Sequence, residues 1–368
     1  MTSRLFPAEF VFPGHPDKLC DAIADGLVGE AVAREARALA GIEVAVHRDQ
    51  VFITGRVACR DAAGIDAGAV VQEVYRTAGY GEGWDPAPRC LTVHDHLCRG
   101  PLEEGESEFR DLADDQAICV GYAVDIPETN YLPVEHWLAG RLARRLARLR
   151  TERPELRLGP DGKVLVLVRE DGRAWSLEGF SCSLQQKVAG DDLALHRTVR
   201  LALEAGMTEA AGVVPGLVAQ VPDRITVNGA GAFEVGGPEG DNGLSGKKLV
   251  MDAYGPRVPI GGGAWSGKDF FKADRAGGLH ARRVAKLLVE LGVTPAATVT
   301  LGWFPGARDA QILDIVASNF DASRYGNLAR RLDLTLVGSG LKFGQTPKWA
   351  QLARWGHFTD PGEVWEVM

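Results

Sequence analysis

Two neighbouring glycine-rich segments constrain this chain more than any other feature of its sequence. They read GGPEGDNGLSGKK, starting at Gly236, and GGGAWSGKDFFKAD, ending at Asp274. Because glycine lacks a Cβ, backbone N–H groups in such loops can converge on a bulky anion. Their charged residues include Lys247, Lys248, Lys268, Lys272, Asp241, Asp269 and Asp274. Lysines interleaved with carboxylates are typical of a polyphosphate site that also holds a hard cation such as Mg²⁺.

The familiar phosphate-binding motifs fit these segments poorly. Gly262 to Lys268 has the spacing of a Walker A loop, but Asp269 stands where a Ser or Thr would bind the metal ion. The dinucleotide-binding fingerprint also fails, because Ser266 occupies the position of its third glycine. The sequence therefore indicates neither an ordinary P-loop nor a Rossmann site.

Length and composition exclude several classes of protein. The 368 residues leave room for two or three domains, and a net charge of −8 provides no basic field for nucleic acid. No apolar run approaches the roughly 20 residues that span a bilayer, and the amino terminus lacks the apolar stretch of a signal peptide. The six cysteines have no CxxC spacing. We therefore expect reduced thiols and a cytoplasmic protein with neither membrane nor nucleic-acid partners.

The pattern of apolar residues predicts helices and paired strands. Pro16 begins a predicted helix to about residue 40, and a hairpin around Asp49 joins strands at 42–46 and 51–57. The acidic segment 98–112 is aperiodic and predicts a mobile loop that could close over a site. Further strands are predicted at 117–124, 163–170, 173–184, 224–228, 297–304 and 311–317, with helices from Pro133, over 192–205, from Lys272 to 291, and near 323–332. Hairpins separated by helices indicate the α+β class.

Four short motifs, taken in order along the chain, identify a family. They are GHPDK at Gly14–Lys18, PDGK at Pro160–Lys163, and the two glycine-rich segments. Together they resemble the S-adenosylmethionine synthetase (methionine adenosyltransferase) family, over nearly the whole chain. The resemblance is densest in 14–25 and 233–290, and thin in 41–113 and 292–350.

The resemblance implies an architecture of three similar, interleaved sheet-and-helix subdomains. The expected parts are a central subdomain (13–100 plus 236–275), an N-terminal subdomain (1–12 plus 129–235) and a C-terminal subdomain (110–128 plus 276–368). It also implies a homodimer or homotetramer with active sites between subunits.

The resemblance also assigns roles to individual residues. It implies that ATP and a small sulfur-containing acceptor are substrates, with two Mg²⁺ ions as cofactors. The residues expected to act on the triphosphate are His15, Lys163, Lys268 and Lys272. Other expected ATP contacts are Asp241 at the ribose, Phe233 at the adenine, and Lys247, Lys248 and Ser266. Asp17 and Asp274 match the magnesium ligands, and Asp115, Arg56 and Glu9 fall in the amino-acid half of the site.

The reaction that the resemblance implies suits this set of residues. A thioether sulfur attacks C5′ of ATP and expels the tripolyphosphate. The sulfur carries no proton, so no general base is required. Cations around the departing phosphates address the charge that develops in the transition state.

The amino-acid half departs from the family pattern at several positions. Arg56 stands where the family has a glutamate that meets the methionine ammonium, and His47 where it has the glutamate of a potassium site. LADDQA replaces GAGDQG around Asp115, and Ala232 replaces an arginine near the adenine. We therefore expect only weak activation by potassium.

Three interpretations of Arg56 follow from the sequence. Its alignment can be shifted or its side chain can turn outward, with methionine still bound through Asp115. The site can instead accept a different thioether or a more acidic acceptor. The third interpretation is a non-catalytic relative that binds ATP or tripolyphosphate as a regulatory subunit or sensor.

Overall fold

The computed structural model describes residues 3–81, 83–187, 192–318, 320–321, 332–344 and 349–367. Within these ranges the strands are β1 Arg4–Val11, β2 Leu39–His47, β3 Gln50–Ala58, β4 Thr92–Gly100, β5 Ala117–Val124, β6 Leu158–Asp171, β7 Ala174–Gln186, β8 Ile225–Val227, β9 Gly243–Leu244, β10 Ala296–Trp303 and β11 Gln311–Ala317. The α-helices, numbered in chain order, are α1 Pro16–Arg34, α2 Ala67–Ala78, α3 Val134–Glu152, α4 Asp192–Val213, α5 Leu249–Asp252, α6 Ala273–Glu290, α7 Leu336–Phe343 and α8 Trp349–Trp355.

The strands form three separate sheets, and strands distant in sequence are neighbours in each. Sheet I has the order β1-β6-β7-β8, sheet II the order β4-β3-β2-β9, and sheet III the order β11-β10-β5. Pairing is antiparallel except for β7 with β8 and β3 with β4. Helix α3 packs on sheet I, α1 on sheet II and α6 on sheet III. The predicted α+β fold with three interleaved sheet-and-helix units is confirmed.

Helix α1 is buried on nearly every side. Leu19, Ile23 and Leu27 are fully buried, as their spacing predicts, and α8 covers another side of the helix. The helix ends at Arg34, so its predicted extension to residue 40 is wrong. Leu39 and Ala40 belong to β2 instead, where they pair with Ala58 and Val57 of β3, and the alternating core residues of the strand continue back to Ala40.

Most of the other predicted elements agree with the structure. The hairpin of β2 and β3 turns at Arg48 and Asp49, with Arg48 in the left-handed region (φ 52°). Strands β5 to β8, β10 and β11 lie at or near their predicted positions, and α4 extends beyond its predicted end to Val213. The sequence patterns missed the strands β1, β4 and β9 and the helices α2, α5, α7 and α8. The helix predicted near 323–332 lies, apart from residue 332, outside the described residues.

The acidic segment 98–112 is less independent of the fold than its composition predicts. Its first residues, 98–100, are the end of β4, paired with β3. The remainder contains a short 3-10 turn, Glu108–Arg110, whose last side chain is fully buried. Its closure over a site stays a prediction, as do the exact boundaries of the three subdomains.

The chain's C-terminal part returns to the core around α1. Phe343, Trp349, Leu352, Phe358 and Trp365 are buried there with the apolar residues of α1, β2 and β3. Searching the described residues for a helix long and apolar enough to cross a membrane finds none.

Buried His136 makes the fold sensitive to acid. It lies on α3 beside Phe10, at a ring distance of 4.8 Å, and neither ring nitrogen has a hydrogen-bond partner among the described residues. Burial lowers the pKa of His136 from 6.5 to about 3. In the unfolded chain this imidazole binds a proton below about pH 6.5, and the folded protein excludes that proton. Burial of neutral His136 therefore carries no protonation penalty well above pH 6.5, and the folded state loses stability as the pH falls below that value.

We predict that His136→Leu reduces this acid sensitivity. Between pH 7.5 and 5.5, the free energy of unfolding should fall by about 1.4 kcal/mol more in the wild type than in the variant. Urea denaturation at the two pH values measures the difference. Equal losses in the two proteins would show that His136 does not titrate on unfolding.

Candidate active site

Three buried aspartates on one face of α1 hold both glycine-rich loops. Asp17, Asp21 and Asp25 are four residues apart, so successive turns of the helix present them in a row. Each accepts a hydrogen bond from a loop backbone N–H. The three donors are Leu244 N to Asp17 (3.0 Å), Gly246 N to Asp21 (2.7 Å) and Gly267 N to Asp25 (2.9 Å). Gly267 has φ 86°, a conformation that a glycine adopts without strain.

Buried cations compensate the charge of this row. Arg275 on α6 contacts both oxygens of Asp25, at 2.7 and 3.0 Å, and both side chains are fully buried. Lys18 is also fully buried and lies 3.0 Å from Asp21 and 2.8 Å from Asp252. Removing one partner of such a pair leaves an uncompensated buried charge, so these contacts fix the helix and loops in one arrangement.

The first cluster of predicted site residues lies where α1 begins. His15 caps the helix, and its Nδ1 accepts a hydrogen bond from Asp17 N at 3.2 Å. Asp17 Oδ2, the oxygen that does not accept from Leu244 N, lies 2.7 Å from Lys248 Nζ. Lys247 Nζ is 3.8 Å from the same carboxylate. Burial, and then Lys248, lower the pKa of His15 to about 4. His15 is therefore neutral at neutral pH, and because Nδ1 accepts, Nε2 carries the hydrogen and can donate to an anion.

The PDGK motif packs directly against this cluster. A Cβ at Gly14 would lie 2.4 Å from the carbonyl oxygen of Pro160, so only glycine permits this approach. Asp161 is buried and accepts a hydrogen bond from Gly237 N at 2.8 Å, and burial raises its pKa to about 6. Lys163 pairs with Glu9 at 2.6 Å on the accessible face of sheet I. Three of the four sequence motifs therefore meet at one place.

The second cluster lies on the loop between Gly261 and α6. Lys268 Nζ lies 2.5 Å from Asp274, and Lys272 forms an ion pair with Asp114. Lys272 also passes over Gly41 of β2, with Cε 4.0 Å from where a Cβ of that glycine would be. The two clusters adjoin, because a Cβ at Gly246 in the first loop would lie 2.4 Å from the Cβ of Ala264 in the second.

Several other predicted residues have no recorded ion pair or hydrogen bond to these lysines within the described residues. Asp115 is exposed and accepts a hydrogen bond from its neighbour Gln116 N, while Asp114 is the residue that contacts Lys272. Asp241 is exposed and likewise accepts from its neighbouring backbone N–H. Phe233 lines a cleft of about 160 Å³ beside the start of α4. Ser266 is buried, and its Oγ has no hydrogen-bond partner within the part of the chain that is described.

Arg56 lies on the exposed face of β3 and is already paired. Its guanidinium binds both oxygens of Glu106 at 2.8 Å, donates to Pro101 O at 2.9 Å, and lies 3.5 Å from Glu103. The hydrogen bond from Arg56 lowers the pKa of Glu106 to about 2. Arg56 faces Gly41 across the strand pair, which places it on the side of sheet II where Lys272 passes. Its charge is therefore met by the acidic segment and is not free for an incoming ligand.

On β2, Glu43 and not His47 contacts the first glycine-rich loop. His47 is exposed at the end of β2, opposite Gln50. Glu43 on the same strand accepts a hydrogen bond from Ser245 Oγ at 2.8 Å. The expectation of weak potassium activation, which was attached to His47, stays a prediction.

Sequence reasoning missed several residues that build this site. Asp21 and Asp25 had a readable signal, the four-residue spacing with Asp17 inside a helix. Asp161 lay inside the PDGK motif but was given no role, and Asp114 and Arg110 had no signal, because their partners are remote in sequence. Their roles follow from contacts that only the folded chain makes.

The carboxylates fit a metal ion shared with phosphate. Over the described ranges, no group of three or more His, Cys, Asp or Glu side chains could hold a metal alone. Asp17 and Asp274 are separate carboxylates, each in contact with a lysine. Mg²⁺ in nucleotide sites is typically held by one or two carboxylates together with phosphate oxygens, which matches this arrangement.

Comparison with known proteins covers almost the entire chain. Three family models match consecutive parts: the N-terminal domain of S-adenosylmethionine synthetase at 3–90, its central domain at 110–233 and its C-terminal domain at 235–367. An S-adenosylmethionine synthase of Deinococcus radiodurans is 31% identical, with 99% of this chain and 95% of the relative aligned. Those of Corynebacterium kroppenstedtii and of Rhodopseudomonas palustris (S-adenosylmethionine synthase 1) are each 32% identical, with 100% of this chain and 96% of the relative aligned.

We predict that a substitution at Asp25 strongly lowers the stability of the protein. Asp25→Asn keeps the side-chain shape but leaves Arg275 buried without its counter-charge. We expect the free energy of unfolding to fall by about 3 kcal/mol or more. Glu30→Gln is the matched control on the same helix, because its pair with Arg34 is partly exposed and should contribute less than about 1 kcal/mol. Similar losses in the two variants, measured by urea denaturation, would contradict this account of the buried pair.

Proposed function

Because the chain belongs to the S-adenosylmethionine synthetase family, we propose that it joins the sulfur of L-methionine to C5′ of ATP. Membership makes it an enzyme of the methionine adenosyltransferase type that uses ATP. The S–C5′ bond forms as the C5′–O bond breaks, and tripolyphosphate leaves with the bonding electrons. In the proposed reaction the tripolyphosphate is then hydrolysed to phosphate and pyrophosphate. The observation that carries the proposal is that the lysines of the first glycine-rich loop lie beside His15 and Asp17, and that this cluster adjoins the lysine cluster of the second loop.

The proposed chemistry requires stabilisation of a leaving group, not removal of a proton. The thioether has no proton to lose, whereas the departing tripolyphosphate gains negative charge at its bridging oxygen. In this proposal Lys163, Lys268 and Lys272 bind the phosphates, and neutral His15 donates from Nε2 near C5′. Each preorganised donor of this kind can contribute about 3 kcal/mol to the transition state.

Asp17 and Asp274 are the proposed magnesium ligands. Each lies beside a lysine, so a divalent ion and an ammonium group would share the same phosphate oxygens. Bound Mg²⁺ would supply further charge neutralisation on the leaving group. The protein's part is to hold the carboxylates in place, and Leu244 N does so for Asp17.

The remaining contacts proposed from the family are to the nucleoside and the acceptor. Asp241 would bind the ribose and Phe233 would lie beside the adenine. Lys247, Lys248 and Ser266 complete the proposed ATP contacts, and Asp115 and Glu9 the proposed contacts to the amino acid.

A different acceptor is the second candidate, and the Arg56–Glu106 pair favours it. A glutamate at position 56 would attract an ammonium group directly. Here Arg56 occupies the position, with Glu106 bound to it and Glu103 nearby. The local charge is still negative when all three are counted, so such an acceptor would keep an ammonium group, while an Arg56–Glu106 pair in place of a single glutamate supports a difference elsewhere in the acceptor.

We also propose that the enzyme works as a homodimer or a larger homo-oligomer, with its sites at the interface. Helices cover one face of each sheet, and large apolar side chains are exposed on the strands. They include Phe52, Ile118, Leu165, Leu313 and Val316. Such exposure is unusual for a monomer and favours association with a second copy. Full activity at concentrations where sedimentation equilibrium finds only monomer would contradict this proposal.

Product analysis tests the proposed function directly. The protein is incubated with ATP, Mg²⁺ and a panel of sulfur amino acids, and the products are identified by mass spectrometry. We expect a sulfonium product from methionine, with phosphate and pyrophosphate in equal amounts. A sulfonium formed from another acceptor alone would favour the second candidate. Transfer of only the γ-phosphoryl group would refute both.

Lys268→Ala tests the role of the lysine cluster. Because the charge of Lys268 acts mainly on the departing phosphates, we predict that kcat falls by about 100-fold or more while KM for ATP changes far less. Steady-state kinetics with varied ATP measure both constants. An unchanged kcat would remove Lys268 from the mechanism.

A further inference from the structure

Arg110 is a fully buried cation in a segment that is otherwise largely exposed. It lies at the end of the short 3-10 turn within 101–112. Its Nη1 donates to Asp269 at 2.9 Å and to Ala38 O at 3.2 Å. Its guanidinium carbon also lies 5.3 Å from the centre of the Phe271 ring. The segment is therefore anchored in the core by one charged side chain.

The partner of Arg110 organises the turn between the two lysines of the second cluster. Asp269 follows Lys268 directly and comes three residues before Lys272. Its Oδ1 accepts from Phe271 N at 2.7 Å, and its Oδ2 accepts from Ala40 N in β2 at 2.7 Å. This one carboxylate shapes the turn and joins it to sheet II.

Arg110 is retained there at a physical cost. Its Nε and Nη2 atoms are buried and have no hydrogen-bond partner among the described residues. A buried guanidinium with unsatisfied donors is unfavourable unless its ion pair compensates for desolvation. Arg110 has one such ion pair, to Asp269, itself only 1% exposed. The contact therefore serves the carboxylate and its turn.

We propose that Arg110 is a positioning residue for Lys268 and Lys272. It neutralises Asp269, so that this carboxylate holds the turn without attracting the adjacent ammonium groups away from the phosphates. Arg110 does not touch the substrate. This inference rests on the proposed function, in which both lysines bind the tripolyphosphate.

The inference separates two effects of the 101–112 segment. If Arg110 acts through the lysines, its loss should impair every reaction of the tripolyphosphate, including hydrolysis of added inorganic tripolyphosphate without an acceptor. If Arg110 only seats the segment near Arg56, its loss should raise KM for the acceptor and leave that hydrolysis unchanged.

The experiment compares Arg110→Met with wild type in both reactions, with Mg²⁺ present. We expect kcat for adenosyl transfer and for tripolyphosphate hydrolysis each to fall by about tenfold or more, with KM for methionine within about twofold. Arg110→Lys keeps the charge and should recover part of both rates. If Arg110→Met fails to fold, Arg110→Lys serves as the test. Relative to wild type, it should then lower kcat in both reactions and leave KM for methionine within about twofold.

Two further variants test the charge argument. Arg110→Met combined with Asp269→Asn removes both charges. The kcat of this double variant, as a fraction of the wild-type value, should exceed the product of the fractions for the two single variants. Arg37→Met is the matched control. Arg37 pairs with Asp111 in the same segment and lies 5.5 Å from the same Phe271 ring, but it is partly exposed and does not pair with Asp269. It should leave tripolyphosphate hydrolysis unchanged.

The outcomes distinguish failure of this inference from failure of the proposed function. Unchanged tripolyphosphate hydrolysis in Arg110→Met, or an equal loss in Arg37→Met, would overturn the role of Arg110. If wild type forms no sulfonium product, the proposed function fails. Calorimetric binding of Mg²⁺–tripolyphosphate would then still decide the inference, because weaker binding is expected in Arg110→Met and not in Arg37→Met.

Discussion

The site depends on hydrogen bonds from loop backbone N–H groups to the aspartates of α1. Glycine-rich loops have many accessible conformations, and ordering them costs conformational entropy. Asp17, Asp21 and Asp25 select one conformation by accepting bonds from Leu244, Gly246 and Gly267. Because α1 is rigid and buried, the lysines on these loops acquire fixed positions. Preorganised charge of this kind stabilises a transition state without rearrangement during the reaction.

Burial of charge stabilises the arrangement and also sets its chemistry. The pairs Asp25–Arg275 and Arg110–Asp269 have almost no contact with solvent. Removing one member therefore leaves the charge of the other uncompensated in a low-dielectric interior. The same desolvation lowers the pKa of His15 and keeps the imidazole neutral beside Lys248. A protonated His15 would repel that lysine. A neutral one can donate a hydrogen bond and leave the positive charge to the lysines.

The departures from the family pattern are matched by other charges in the fold. Arg56 reverses the charge expected at its position, yet Glu106 binds it through two hydrogen bonds. A second arginine, Arg110, is not among those departures, but its buried cation is likewise paired, with Asp269. Both arginines connect the 101–112 segment to sheet II or to the turn beside Lys268. The segment that composition alone describes as mobile is therefore joined to the site by two ion pairs.

The sequence by itself determined the α+β class, most strands, the four longest helices, and the motifs of the proposed polyphosphate site. It could do so because apolar periodicity and glycine–lysine spacing are local properties of the chain. It overextended α1, since residues 35–40, EARALA, are all good helix formers, and only pairing with β3 makes Leu39 and Ala40 part of a strand. Only the tertiary structure decided that Asp114 meets Lys272, that Glu106 neutralises Arg56, and that Arg110 lies buried against Asp269. These pairs join residues that are far apart in sequence, and their geometry depends on how the three sheets pack.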